Sequence, residues 1–263
     1  MAETTRLHAS LPAGLSLPRS LGYADDLALD LSMGPHPVWL AEWLCQRVDL
    51  QPGMRVLDLG CGKGLSSLFL AQEFGVQVWA VDLWISATEN AKRFRSTGVE
   101  DQVFAIHADA RDLPFAHGFF DAILCVDSYI YFGTDDLALP RLVEYVKPGG
   151  PIGMVVPGFM SPINGCLPDH LRPFWAQECW TWHTVQEWRW MWERTELVDV
   201  DAADAMPDGW RMWRVWEEAV YRRHHPDARS DDPGPDARVL DIDRGRTMGF
   251  IRMVGRRRAC ASA

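Results

Sequence analysis

Val56-Leu57-Asp58-Leu59-Gly60-Cys61-Gly62-Lys63-Gly64 decides how this chain is read. Apolar residues alternate around an acid, and glycine then falls at every second position. The apolar run predicts a buried parallel strand. The glycines predict a sharp turn without Cβ atoms, where backbone approaches a ligand closely. Leu65-Ser66-Ser67-Leu68-Phe69-Leu70-Ala71 continues with helical spacing. Strand, glycine turn and helix in succession predict a nucleotide-type site at the carboxyl end of a strand.

The glycine spacing narrows the ligand. A dinucleotide fingerprint, G-x-G-x-x-G, would put its third glycine where Leu65 stands, and here it is Gly64. That spacing excludes a dehydrogenase reading. The pattern D-x-G-x-G-x-G instead resembles the first motif of class I S-adenosylmethionine-dependent methyltransferases. The resemblance implies that Asp58, Gly60, Cys61, Gly62 and Gly64 help to hold that donor.

Further segments resemble the same family in the same order. Gln77-Val78-Trp79-Ala80-Val81-Asp82 reads as a second strand ending in an acid. Asp82 lies roughly twenty residues past the turn, where Rossmann-like folds place the carboxylate that binds ribose hydroxyls. A second role, capping the helix near Ser86, stays open. Leu83 and Trp84 would offer apolar surface to adenine. The segment from Val103 to Phe115, with Asp109-Ala110 and Leu113-Pro114-Phe115, resembles the family's adenine-contacting stretch. By that resemblance Asp109 accepts from the adenine amino group and the Ala110 N–H donates to the ring. Phe119 to Asp127 reads as the fourth strand, with Asp121 structural by the resemblance. Leu142 to Val156 reads as a helix, a Lys-Pro-Gly-Gly turn and a fifth strand. The resemblance is dense from Val38 to Pro157.

The fold expected is α/β: a Rossmann-like, seven-stranded, mostly parallel sheet with helices on both faces and a Trp-rich cap. The 263 residues form one domain on this reading. Residues 1–36 make an N-terminal cover and 37–157 the donor-binding core. Stretches 158–194 and 207–245 are acceptor-side insertions, and 195–206 and 246–256 hold the final strands. Helices are expected over Thr184–Arg194 and Trp210–Arg223, with a solvated loop over His224–Arg238. Arg256-Arg257-Arg258 reads as a solvated tail.

Composition sets other bounds. A net charge of −10 argues against a nucleic-acid substrate, which needs a basic stripe. No stretch is long and apolar enough to span a membrane. Met1–Arg6 lacks a basic region followed by an apolar core, so no secretory leader is expected. Six scattered cysteines without a C-x-x-C pair predict reduced thiols in the cytoplasm. No His, Asp or Glu spacing suggests a metal.

The chemistry expected is methyl transfer from S-adenosylmethionine to a small, partly apolar or aromatic molecule by in-line displacement. Proximity and desolvation are its main catalytic contributions. Asp127-Ser128-Tyr129-Ile130-Tyr131 follows the fourth strand at the ligand-facing edge. Tyr129 or Tyr131 would orient the acceptor, and Asp127 would take a proton or hold the donor's amino group. His36 is the leading histidine base, with His170 and His183 as others. Trp180 and Trp182 are acceptor-pocket candidates, whereas Trp210, Trp213 and Trp216 recur at helical spacing and read as core. The Pro157–Trp182 connection is expected to cover the acceptor together with the N-terminal segment. Two other readings stay open: a cyclopropane-forming or otherwise unusual donor-dependent enzyme, and a non-catalytic donor-binding sensor.

Overall fold

Among the described residues, seven strands form one sheet in the order β3-β2-β1-β4-β5-β7-β6. The computed structural model describes residues 7, 11–12, 14–163 and 166–259. The strands are β1 (Arg55–Leu59), β2 (Gln77–Asp82), β3 (Val103–His107), β4 (Ala122–Val126), β5 (Pro151–Phe159), β6 (Val198–Ala205) and β7 (Met248–Arg257). β1 to β5 are parallel, and β7 lies antiparallel between β5 and β6. Every residue of β4 and β5 is buried, as expected of parallel strands covered on both faces.

Eight α-helices flank the sheet among the described residues: α1 (Asp25–Leu31), α2 (Pro37–Cys45), α3 (Leu65–Phe74), α4 (Ala87–Ser96), α5 (Ala138–Tyr145), α6 (Val185–Glu193), α7 (Gly209–His224) and α8 (Pro235–Asp243). Local chemistry explains several ends. Pro37 opens α2 at a position where a missing N–H costs nothing. Thr184 and Glu187 close a capping box on α6. Gly75 ends α3 in the left-handed region at φ 64°.

Two apolar layers result. Leu40, Leu44, Leu68, Phe69 and Trp216 pack on one face of the sheet with Val56 and Val78. Leu142, Trp188, Trp192 and Leu240 pack on the other with Leu57 and Ile123. Arg252, only 3% exposed, ties three elements together. It grips Asp204 of β6 with two nitrogens and donates to the Trp43 carbonyl of α2. Asp121 accepts from the Arg55 N–H at 2.7 Å and pairs with Lys147, fixing the entry to β4.

Three expectations need correction. The N-terminal segment holds a short helix, α1, that its weak periodicity concealed. Part of the stretch read as a loop is α8, opened by Gly234 at φ 86° followed by Pro235. The three arginines are no free tail: Arg256 and Arg257 end β7, Arg256 pairs with Asp201, and Arg258 pairs with Asp199. Arg257 donates to the Val146 carbonyl at 2.6 Å. The Met1–Arg6 reading and Cys260 lie outside the described residues; the other five cysteines are free thiols.

Candidate active site

The sheet reverses its build direction between β1 and β4, where α/β sheets open a crevice outside the carboxyl ends of their strands. A cavity of about 300 Å³ lies at that point. Its floor is the glycine turn. Gly60, Gly62 and Gly64 adopt φ of 76°, 55° and 86°, a region that side chains disfavour. Space reinforces the requirement. A Cβ on Gly60 would stand 2.3 Å from the Ser128 Cβ, and one on Gly64 would stand 2.4 Å from the Phe94 ring. Gly60, Cys61 and Gly62 line the cavity; Gly64 shapes the turn and does not.

Asp82 borders the cavity and also holds the turn. Its Oδ2 accepts the Gly62 N–H at 2.8 Å, while Oδ1 accepts the N–H groups of Trp84 and Ile85 at 2.8 Å each. The acid thus borders the cavity and holds two turns, but it does not cap the helix that follows. Ser86 rather than Asp82 caps α4, accepting from the Glu89 N–H.

Leu83, Trp84, Asp109 and Ala110 line one wall, where the sequence placed an adenine. Trp84 is 62% exposed and meets Tyr131 edge-on with ring centroids 4.9 Å apart. Asp109 is engaged: it accepts the Arg111 N–H and grips the Arg111 guanidinium at 2.9 and 2.6 Å. That guanidinium holds the Asp109 carboxyl below the usual carboxylate range.

Asp127 also lines the cavity, just beyond the end of β4. It sits at φ 56°, a strained conformation for a residue with a side chain. Its carboxylate makes no hydrogen bond or ion pair with a described residue, and removal from water pushes its pKa well above the ordinary value. Glu217 of α7 raises it further by like-charge repulsion. Burial pushes Glu217 itself up to about 7, although its Oε1 accepts the Trp213 indole N–H at 2.8 Å. Tyr131 and Phe132 complete this side. Burial raises the Tyr131 hydroxyl to about 12, so it stays protonated at neutral pH.

The N-terminal segment closes over the cavity through Leu31, Met33, Gly34 and Pro35. Its anchors are polar and far apart in sequence. Lys63 donates to the Asp30 carbonyl at 3.0 Å, and Arg223 pairs with Asp26 and Asp30. The Trp216 indole donates to the Gly34 carbonyl at 2.9 Å. Upstream, buried Glu42 accepts the Arg19 and Ser20 N–H groups.

Several expected site residues lie elsewhere. Asp58 does not reach the cavity. It is fully buried under the turn, where Oδ2 accepts the hydroxyls of Ser66 and Ser67 at 2.6 Å each. Tyr129 is core: 1% exposed, it packs between Phe132, Trp188 and Trp192, and its hydroxyl has no described partner. The 3-10 turn over Tyr129–Tyr131 leaves Tyr131, not Tyr129, at the cavity. His36 is buried and stacks on Trp39 at 4.1 Å with Trp216 across its edge. Its Nδ1 caps α2 by accepting the Trp39 N–H. His170 pairs with buried Asp243, and His183 packs on Trp188. Trp182 packs between Phe159 and Trp213, and Trp180 is exposed but not in the lining. No residue of the Pro157–Trp182 connection lines the cavity among the described residues. Met33, Gly34, Phe132 and Glu217 were not foreseen.

Residues 56–150 match the family described as a methyltransferase domain. Over that stretch the chain is similar to methyltransferases. It is 36% identical to methyltransferase GfsG of Streptomyces halstedii over 112 residues, which is 42% of this chain and 40% of that protein. This chain spans 19 to 58% of the length of such curated relatives. The fold resembles that of the [4+2]-cyclase SpnF, with a TM-score of 0.64 at 21% identity over 83% of this chain and 80% of that one. It also resembles geranyl diphosphate C-methyltransferase of Streptomyces coelicolor A3(2), with a TM-score of 0.64 at 20% identity, covering 82% and 78%. That structure holds Mg2+, geranyl diphosphate and S-adenosyl-L-homocysteine. Among the described residues, no group of side chains is arranged to hold a metal ion, and no helix is long and apolar enough to cross a membrane.

Proposed function

We propose that the protein transfers a methyl group from S-adenosylmethionine to a small, partly apolar molecule. The observation that carries this reading is the glycine turn opening on a single-sided cavity at the sheet's switch point. The residues present suit the donor. The turn at Gly60–Gly62 leaves backbone bare, Asp82 offers a carboxylate beside it, and Leu83, Trp84 and the Ala110 backbone form an apolar wall with an N–H.

When bound, the donor supplies an electrophilic methyl on a sulfonium. The chain's own part is to bind and align. Asp82 and the turn hold the ribose and methionine portions on this reading, and Ala110 the adenine. Leu31, Met33 and Pro35 exclude water from above, which strengthens electrostatics inside. Holding acceptor and methyl in line supplies up to ~7–11 kcal/mol of the barrier. Asp127, with its raised pKa, is the group placed to accept a proton from the acceptor or to hold a cation there. Tyr131, protonated, orients the acceptor from the rim.

Titration calorimetry with S-adenosylhomocysteine tests the donor site, and NAD serves as the control. Binding of NAD in preference to the donor product overturns the reading. A second reading is a donor-dependent enzyme of another reaction type, and the likeness to a [4+2]-cyclase supports it. Transfer of a labelled methyl group to an acceptor separates the two.

A further inference from the structure

The glycine turn is held from two sides. From β2, Asp82 accepts the Gly62 N–H at 2.8 Å. From α4, the Asn90 Nδ2 donates to the Gly62 carbonyl at 2.9 Å and lies 3.7 Å from the Cys61 Sγ. The peptide before Gly62 and the peptide after it are thereby both fixed. Phe94, four residues further and on the same face of α4, puts its ring where a side chain on Gly64 would stand. Glycine gives a ligand room to approach, but its backbone is the freest of any residue. A turn built on Gly60, Gly62 and Gly64 keeps one shape only if its neighbours pin it.

Asn90 is 1% exposed, and an amide buried so deeply is costly unless both of its ends are paired. Arg93 settles which way it points. The Arg93 Nη1 donates to the Asn90 Oδ1 at 2.8 Å. A guanidinium only donates, so the amide oxygen faces Arg93 and the NH2 faces the Gly62 carbonyl. Arg93, Asn90 and Gly62 form one line from α4 to the floor of the cavity. Gly62 lines that cavity and Asn90 does not. We infer that Asn90 is a positioning residue for the amino-acid end of the donor and acts through the Gly62 peptide; this rests on the donor reading above. The nucleoside end does not depend on it. Asp82 keeps the Trp84 and Ile85 N–H groups whatever becomes of the Gly62 peptide, and the adenine wall at Leu83 and Ala110 lies on other elements.

The test uses the whole protein and two ligands: S-adenosylhomocysteine, and methylthioadenosine, which lacks the amino-acid end. Calorimetry reads the first and ligand-detected NMR titration the second, with thermal unfolding of every variant alongside. Asn90→Asp keeps the size and the Arg93 contact but turns an oxygen toward the Gly62 carbonyl. Asn90→Leu removes donor and acceptor at similar volume. Both should weaken S-adenosylhomocysteine by roughly tenfold and leave methylthioadenosine within about twofold. Arg93→Met frees the amide to turn over and should act in the same direction, by about threefold. It tests the same line from a less buried position, should a change at Asn90 unfold the protein. A wild type that binds neither ligand sinks the donor reading and the inference with it. Where wild type binds, the inference alone is overturned if the variants hold S-adenosylhomocysteine as wild type does. It is overturned equally if both ligands weaken alike, as a loosened fold would cause.

Discussion

The carboxylate of Asp82 accepts the Gly62 N–H at 2.8 Å, so the acid at the end of β2 fastens the turn at the end of β1. Ligand wall and turn clamp are one residue. Replacing it therefore disturbs the folded protein as well as the site. Asp82→Ala leaves three backbone N–H groups without their acceptor and should lower stability by at least ~1.5–3 kcal/mol, about the worth of one hydrogen bond to a charged group. Urea denaturation read alongside product titration checks this. A loss of product affinity with unchanged stability would show that the clamp contributes nothing.

Gly60→Ala should destabilise the protein by roughly 2–4 kcal/mol. The new methyl meets the Ser128 Cβ at 2.3 Å, and the backbone stands at φ 76°. Ser128 cannot swing away freely, because its hydroxyl donates to the Leu59 carbonyl at 2.6 Å. Overpacking and left-handed strain add here. Gly98→Ala is the comparison: its φ is 70° but nothing lies within 4 Å of the added methyl. Thermal unfolding of the pair separates steric from conformational cost.

Tyr129→Phe and Tyr131→Phe should behave oppositely. The first removes a buried hydroxyl without a described partner, so stability should hold or rise by up to ~1 kcal/mol, with methyl transfer unaffected. The second removes a rim hydroxyl from the cavity and should raise the acceptor KM severalfold while leaving the unfolding midpoint in place. Loss of transfer in Tyr129→Phe would return that residue to the site.

Asp58 gives a pH dependence of definite sign. Burial, only partly offset by Ser66 and Ser67, raises its pKa from 3.8 to about 6. The folded state then binds the proton more tightly than the unfolded state. The resulting stabilisation is full below the unfolded value and is lost as pH rises through about 6. Wild type should lose about 2–3 kcal/mol relative to Asp58→Asn between acid and neutral pH. Denaturation of both proteins across that range checks it; a constant difference would mean that Asp58 keeps one protonation state throughout.

The sequence was legible where chemistry is local. The Gly60–Gly64 turn, the acid that ends β2 and the apolar residues before each are written in short contiguous stretches, and the sheet they imply is the one observed. The acceptor side was not legible for the opposite reason. Gly34, Asp127 and Trp216 meet through a chain crossing that no spacing encodes. Tyr129 and Tyr131 are two apart, which would place them on one side of a strand, but a 3-10 turn over Tyr129–Tyr131 sends one inward and the other outward. His36 carried a base's chemistry in a plausible segment, yet its neighbours Trp39 and Trp216 enclose it. α8 was hidden because Gly and Pro signal breaks in general and a helix start only in the right order.

The place of β7 has a consequence for how the chain is assembled during synthesis. β7 is the last strand in sequence, yet it lies between β5 and β6 and pairs with both. Until it leaves the ribosome, β5 presents a bare edge and β6 has no neighbour in the sheet. Nascent chains can settle the β1–β4 region early, but the wing beyond β5 must wait for its keystone. Such an unpaired, fully apolar edge is a site for misassociation between chains. Arg252, buried on that same strand, brings to the closing step an ion pair with Asp204. Insertion in the wrong register would strand a charge in the interior, so late closure comes with its own check on alignment.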